Sequence, residues 1–252
     1  MSANNITLRD WLQQEKFSLA MSSGFFGFFA HCGIISVLEE EKLTPKRASG
    51  SSAGALITGC WGAGVAAKNM SEELFSLQRE DFWDPSFGLG LLKGQLFDKR
   101  LRSFMPTTDF SKCRFPISIS AYDAILQKTK VLESGDIVRA IRASCAVPLL
   151  FHPVWIKRKP FLDGGIRDHG GLKSIKKNER MFYHHLLPRK HNNKSRFFKR
   201  LPQKNNMVTL VLTSLPSVGP YCLENGRNAY NHAYNTMKKA MNTPIKNGKI
   251  II

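Results

Sequence analysis

Short apolar runs that stop at glycine, serine or proline alternate with helix-length stretches through the first quarter of the chain. Residues 16–21 (KFSLAM) have the compact apolar character of a buried strand and end at Ser22-Ser23-Gly24. Residues 31–42 predict a helix, with Ile34, Ile35, Val37 and Leu38 apolar and Glu39-Glu40-Glu41 closing it. Thr44-Pro45 marks a turn, and 46–49 predict a second short strand. Gly50-Ser51-Ser52-Ala53-Gly54 follows and opens a small-residue, helix-compatible run over 53–67. Strand, turn and helix thus occur twice in 67 residues, which is the grammar of a parallel sheet with packed helices.

The rest of the pattern extends that frame. A short amphipathic helix is expected around 8–12. Residues 71–105 read as broken helix, with loops at 83–85 and 88–94. The alternation of 114–122 predicts a strand, with 128–132 as its hairpin partner. Residues 136–143 predict a helix capped by Ser134, Gly135 or Asp136 and ended by Pro148. Stretches 154–156 and 160–162 flank a basic turn, and 181–187 and 208–212 are further strands. Between the last two, 188–206 is polar, basic and aperiodic, hence a long loop. A helix is expected over 225–241 and a tail over 242–252. Together these elements predict an α/β fold with a mainly parallel central sheet, one domain over 1–252 with its core at 17–215.

Residues 17–38 contain no Asp, Glu, Lys or Arg and are long enough to cross a bilayer. The central Ser22-Ser23-Gly24-Phe25-Phe26-Gly27 breaks the segment, which is therefore expected to be strand, turn and buried helix. Residues 1–16 lack a basic stretch leading into an apolar one, so no signal peptide is expected. Five widely spaced cysteines with no CxxC pair form neither a disulfide framework nor a zinc site and suit a reducing compartment. The expected location is the cytoplasm, with peripheral membrane contact.

Charge adds a partner class. The net is +18, and 156–204 alone hold 15 basic against 3 acidic residues. Such a region attracts polyanions, whether nucleic acid or anionic lipid headgroups. In 188–206, Phe197-Phe198 are interleaved with seven basic residues. That pattern allows base stacking or insertion at a membrane interface, with a solvated loop as the plain alternative.

Three motifs carry candidate chemistry. Gly50-Ser51-Ser52-Ala53-Gly54 matches G-x-S-x-G, in which a serine on a tight strand-to-helix turn projects its hydroxyl into a site. Helix N–H groups there, that of Ala53 first, favour a developing oxyanion. The Gly24-Phe25-Phe26-Gly27 turn follows the first strand, and in a parallel sheet such turns line one crevice. Its sequence matches neither G-x-G-x-x-G nor a P-loop, and its phenylalanines suit an acyl pocket or the core. Asp163-Gly164-Gly165 follows 160–162 and is on its own an ordinary turn signal. Cys32 and Cys145 lie beside these motifs without an evident activating partner. Trp61, Trp83 and Trp155 read as packing residues.

In that order, with the block 140–148 (AIRASCAVP) before the aspartate, these motifs give a chain that resembles the patatin-like phospholipases over about residues 17–167. The resemblance implies a three-layer α/β/α fold, Ser52 as nucleophile and Asp163 as its base in a Ser–Asp dyad without histidine. It implies an oxyanion hole from Gly24, Phe25, Phe26 and Gly27 with Ala53, supported by Gly50, Gly54, Gly164 and Gly165. No metal or other cofactor is implied. The loop departs from the family pattern, which is richer in glycine and carries a basic residue. The implied substrate is a lipid carboxylic ester, phospholipid or lysophospholipid, with an anionic membrane surface contacted through 156–204 and no nucleic acid. Two rivals remain open from the residues: a Ser-His-Asp esterase using Asp123 or Asp163 with His169, His184, His185 or His232, and a non-catalytic lipid or nucleic-acid binder.

Overall fold

The computed structural model describes residues 6–187 and 201–252. Phe197, Phe198 and most of the basic loop expected at 188–206 lie outside the described residues. The main sheet runs in the order β11 (Lys249–Ile251), β10 (Met207–Leu212), β9 (Met181–Leu186), β1 (Ser18–Met21), β2 (Arg47–Ser51) and β4 (Ile117–Asp123), all parallel. Beyond β4 the pairing turns antiparallel. The strand β5 (Lys128–Leu132) takes one edge of β4, while β8 (Lys159–Leu162) pairs only with Tyr122 and Asp123 at its end, and β7 (Val154–Ile156) completes a hairpin with β8. This is the expected α/β class with a large, mostly parallel sheet.

Alternation along the central strands sorts two faces. Leu19, Met21, Ala48, Ile117, Ile119, Phe182 and Leu210 enter one core cluster, to which every described helix contributes. These helices are α1 (Leu8–Gln14), α2 (Phe28–Glu40), α3 (Ala53–Gly62), α4 (Ala67–Phe75), α5 (Gln95–Phe104), α6 (Ile137–Ser144) and α7 (Asn225–Met241). The opposite face is polar at its centre: Ser49, Ser51, Ser118 and Ser120 are buried there. An irregular layer, 163–180, supplies Gly171 O to Ser49 Oγ at 2.5 Å and Asp168 Oδ2 to Ser120 Oγ at 2.6 Å, while Ser51 Oγ accepts from Ser23 Oγ and Ser118 Oγ donates to Glu133. Buried hydroxyls need such partners. The polar face is therefore closed partly by a loop that bends to Ser49 and Ser120.

The charge-free 17–38 segment divides as its glycines require, into β1, a turn and α2. Among the described residues no helix is long and apolar enough to cross a membrane. The helix expected at 136–143 is α6, with Asp136 Oδ1 accepting the Arg139 N–H as its cap. Two expectations are corrected. Residues 242–252 are not a tail: Lys249–Ile251 form β11, in parallel with β10, and Ile250 is buried. Between α4 and α5, Gly90–Leu92 form a strand, β3, which pairs in parallel with β6 (Leu149–Phe151) as a separate two-stranded sheet. Strands this short are fixed by packing, which local pattern does not reveal.

Candidate active site

The carboxyl ends of β1, β2, β4 and β8 converge, and the three motifs lie at those ends. Ser52 follows β2 as the N-cap of α3 with φ 51 and ψ −118, a backbone conformation that a side-chain-bearing residue holds only under constraint. Two constraints are visible. A Cβ on Gly54 would sit 2.1 Å from the Met21 carbonyl oxygen, so the turn closes against β1 only with glycine there. Gly50 is equally tied, since its Cβ would meet the Gly54 backbone. The Ser52 N–H then donates to Ser144 Oγ at 2.8 Å, and Ser144 Oγ donates to Ser120 O at 2.6 Å. Ser144 is fully buried and was given no role from sequence, although it lies in the 140–148 block. Its partners are far along the chain, which hides the function from local reading.

Asp163 follows β8 and caps a 3-10 turn over Gly164–Ile166, its Oδ1 accepting the Gly165 N–H at 2.7 Å. A Cβ on Gly164 would lie 2.1 Å from Ser120 O and 2.6 Å from Ser51 Oγ, so this turn stacks directly on the ends of β2 and β4. That close approach brings the carboxylate to the elbow. Asp163 is 7% exposed, and its Oδ2 is buried with no hydrogen-bond partner among the described residues. Burial pushes its pKa up to about 6, while the adjacent Ser52 hydroxyl and the Gly165 N–H pull it back. The Ser52 hydroxyl is thus near enough to the carboxyl to favour its ionised form.

The glycine turn faces the same space. Phe26 takes φ 54, unusual for an aromatic residue, and the Gly27 N–H closes the turn onto Gly24 O at 2.8 Å. Gly27 is therefore unavailable as a donor, which narrows the expected loop to the N–H groups of Gly24, Phe25 and Phe26. Behind this turn His184 and His31 meet Nδ1 to Nδ1 at 2.7 Å, and His31 Nε2 lies 2.8 Å from Ser22 O. Both histidines are buried, and burial holds their pKa values low. The consistent tautomers have His31 donating to Ser22 O through Nε2–H and accepting from His184 Nδ1–H. The pair braces the loop from behind.

The histidine-dependent alternative finds no support in this geometry. His185 is bound to the Tyr183 hydroxyl, and the rings of His169 and His185 meet at a tilt with centroids 5.4 Å apart. Asp123 is committed to the Ile125 and Leu126 N–H groups. Among the described residues no histidine hydrogen-bonds to Ser52 or lines the cavity beside it. Cys145 Sγ lies 3.3 Å from Ser52 O, but burial raises its pKa far above that of a reactive thiol. Among the described residues no group of three His, Cys, Asp or Glu side chains could hold a metal ion.

Ser52 and Ala53 open onto a cavity of about 310 Å³ with an almost wholly apolar wall that includes Phe25, Phe26, Leu74, Phe97 and Phe151. Trp83 also lines it, whereas Trp61 is buried core. Trp155 is not a packing residue, being 57% exposed.

The sequence profile of the family described as Patatin-like phospholipase matches residues 19–174, more than half of the chain. The chain belongs to that family. As a patatin-like protein it is 28% identical over 154 residues to uncharacterised NTE family proteins of Mycobacterium bovis and Mycobacterium tuberculosis. That match covers 60% of this chain and 43% of each relative, so the chain spans less than half the length of the curated relatives it matches. Its fold is similar to the crystal structure of VipD from Legionella pneumophila, with a TM-score of 0.64 at 11% identity, over 90% of this chain and 67% of that one.

Proposed function

We propose that this protein hydrolyses carboxylic esters of lipids, phospholipid or lysophospholipid, through an acyl-enzyme on Ser52 with Asp163 as its base. The observation that carries this reading is the buried, unpartnered Oδ2 of Asp163 beside a strained serine at the edge of an apolar cavity. Ser52 Oγ attacks the ester carbonyl as its proton passes to Asp163. The resulting oxyanion accepts N–H groups from Ala53 at the start of α3 and from Gly24, Phe25 and Phe26. Collapse passes the proton from Asp163 to the departing alkoxide, which leaves as the lyso-lipid or alcohol, and the acyl group stays on Ser52 with Asp163 again a carboxylate. Asp163 then takes a proton from water, which attacks the acyl carbonyl, and returns it to Ser52 Oγ as the fatty acid leaves.

Desolvation supports the role of Asp163, because a carboxylate with a pKa near 6 is a stronger base than a free one and is still ionised at neutral pH. The apolar wall supports an acyl chain as the group bound beside Ser52. Family membership supports a lipid ester over other acyl compounds. The basic region 156–204, part of which lies outside the described residues, supplies attraction to anionic headgroups in this reading. The domain assignment, one patatin-like unit over 1–252, belongs to the same proposal.

A panel of lipids assayed with wild type, Ser52→Ala and Asp163→Asn tests it. Each variant is expected to lose at least about a thousandfold in rate. A fluorophosphonate is expected to label Ser52 in the folded wild type and nothing in Ser52→Ala. Undiminished hydrolysis by either variant removes the dyad.

A further inference from the structure

The two-stranded sheet of β3 and β6 leaves large apolar side chains in solvent. Phe87 is 105% exposed, Leu89 73%, Leu91 48% and Leu149 85%. Solitary exposed apolar residues need no explanation, but four on one small sheet and its loop do. The pairing explains how they are presented. Gly90 pairs with Leu149 and Leu92 with Phe151; alternation on β3 turns Leu92 to the cavity wall and Leu91 out, while on β6 Leu150 and Phe151 line the cavity and Leu149, at the start of the strand, stays exposed. Leu149 is held at φ 67, which costs conformational energy for a leucine and in water gains no burial in return.

The exposed set continues to the cavity itself. Phe25 and Tyr221 both line the cavity and are themselves 52% and 75% exposed. Exposed apolar side chains therefore occur both at the cavity mouth and on the β3–β6 sheet, whose Leu92 and Phe151 line the same cavity. Free charge around the tip is mainly basic, with exposed Glu80 as a carboxylate that has no ion-pair partner among the described residues. Asp81 and Asp98 are spent on Arg100, Arg102 and Arg142, and Asp84 accepts the Gly94, Gln95 and Leu96 N–H groups. Lys93 and Lys99 are exposed and, among the described residues, have no ion-pair partner. Further along, exposed Trp155 precedes the exposed Lys157, Arg158 and Lys159.

We propose that the β3–β6 tip, with Phe87, Leu89, Leu91 and Leu149 at its surface, inserts into the interfacial layer of an anionic lipid bilayer and seats the cavity mouth on it. The proposal rests on the reading of the cavity as a lipid acyl site and adds the surface by which it reaches its substrate. Apolar and aromatic side chains enter the acyl–headgroup boundary while flanking lysines meet anionic headgroups. An acyl chain could then pass from bilayer to cavity past these apolar side chains without crossing water.

The test measures partition of Ser52→Ala protein, and of that protein carrying Phe87→Ser with Leu89→Ser, onto phosphatidylcholine vesicles with about 30% phosphatidylserine. Removing two inserted side chains is expected to weaken partition at least about tenfold. A control with Ile125→Ser and Leu126→Ser, exposed on the β4–β5 turn, is expected to bind as the parent does. Thermal melting checks that all three remain folded. Unchanged partition of the tip variant, or an equal loss in the control, overturns the proposal. So does parent self-association in sedimentation that the tip substitutions abolish, since a second copy would then cover the patch. Because binding is read on protein lacking Ser52, tip-dependent docking of that protein together with a wild type that hydrolyses nothing overturns the catalytic reading alone. A wild type that hydrolyses lipid while docking ignores the tip overturns this surface alone.

Discussion

Asp163 is under two opposed demands. Burial raises its pKa to about 6 from a model-compound value of 3.8. Between those values the native state holds a proton that the unfolded chain has released. Stability from this group therefore falls as pH rises through about 4 to 6 and stays level above. Asp163→Asn removes the cost of a buried, unpartnered charge. It is expected to raise the melting temperature at neutral pH by a few degrees, on the scale of roughly 2–4 °C per kcal/mol for a chain of this size, while abolishing hydrolysis. Calorimetry at neutral pH and at pH about 4 checks this, since the difference between variant and wild type should shrink in acid. In the proposed mechanism the same ionisation governs catalysis. For wild type, kcat/KM on a soluble short-chain ester is expected to fall about tenfold per pH unit below about 6, following loss of the carboxylate. Ser52 and Asp163 are each legible as chemical types in short motifs. Their proximity is not, because it depends on Gly164 resting on Ser120 and Ser51.

At the level of elements, the elbow between β2 and α3 is the most legible part of the site. Gly50 and Gly54 lie within two residues of Ser52, and the steric demand they meet is local to one strand-turn-helix unit. Ser144, on α6, is the counterexample. It joins the strained Ser52 backbone to β4 through two hydrogen bonds that span 92 and 24 residues. Ser144→Ala would leave a buried N–H without its partner, at a cost of about 1–3 kcal/mol. The expected outcome is a lower melting temperature together with a loss in kcat of about tenfold or more and little change in KM. Steady-state kinetics on the soluble ester separates this from simple destabilisation. The turn after β1 shows a related limit. Its glycines announce a loop, yet the packing of Leu186 on Gly24 and Gly27, and the His31–His184 brace behind Ser22, are set by β9 pairing with β1.

At the scale of the whole molecule, the parallel sheet is finished by the chain's two described ends meeting. The Ile245 N–H donates to Ile6 O, the Leu8 N–H donates to Thr243 O, and β11 covers the edge of β10. Removing residues 243–252 exposes that edge and deletes buried Ile250. An open, apolar edge strand is a template for association. The truncated protein is expected to melt lower and to aggregate on heating. Fluorophosphonate labelling of Ser52 is expected to persist at low temperature, because the site lies at the other strands. Light scattering with parallel labelling checks both outcomes. Residues 242–252 lacked the length and alternation that announce a strand, since β11 is only three residues long and exists through its neighbour.

Local order along the chain determined the α/β class, the parallel grammar, most element positions, and the serine and aspartate as candidates. Each of these depends on interactions within a few residues: side-chain periodicity, turn chemistry and capping. Tertiary structure alone decided which carboxylate meets which hydroxyl, how far Asp163 is desolvated, which turn N–H groups stay free, and that apolar side chains collect on the β3–β6 tip. Those outcomes depend on distances between segments remote in sequence. A pKa set by burial, and a surface set by exposure, are properties of the packed molecule that residue order does not contain by itself.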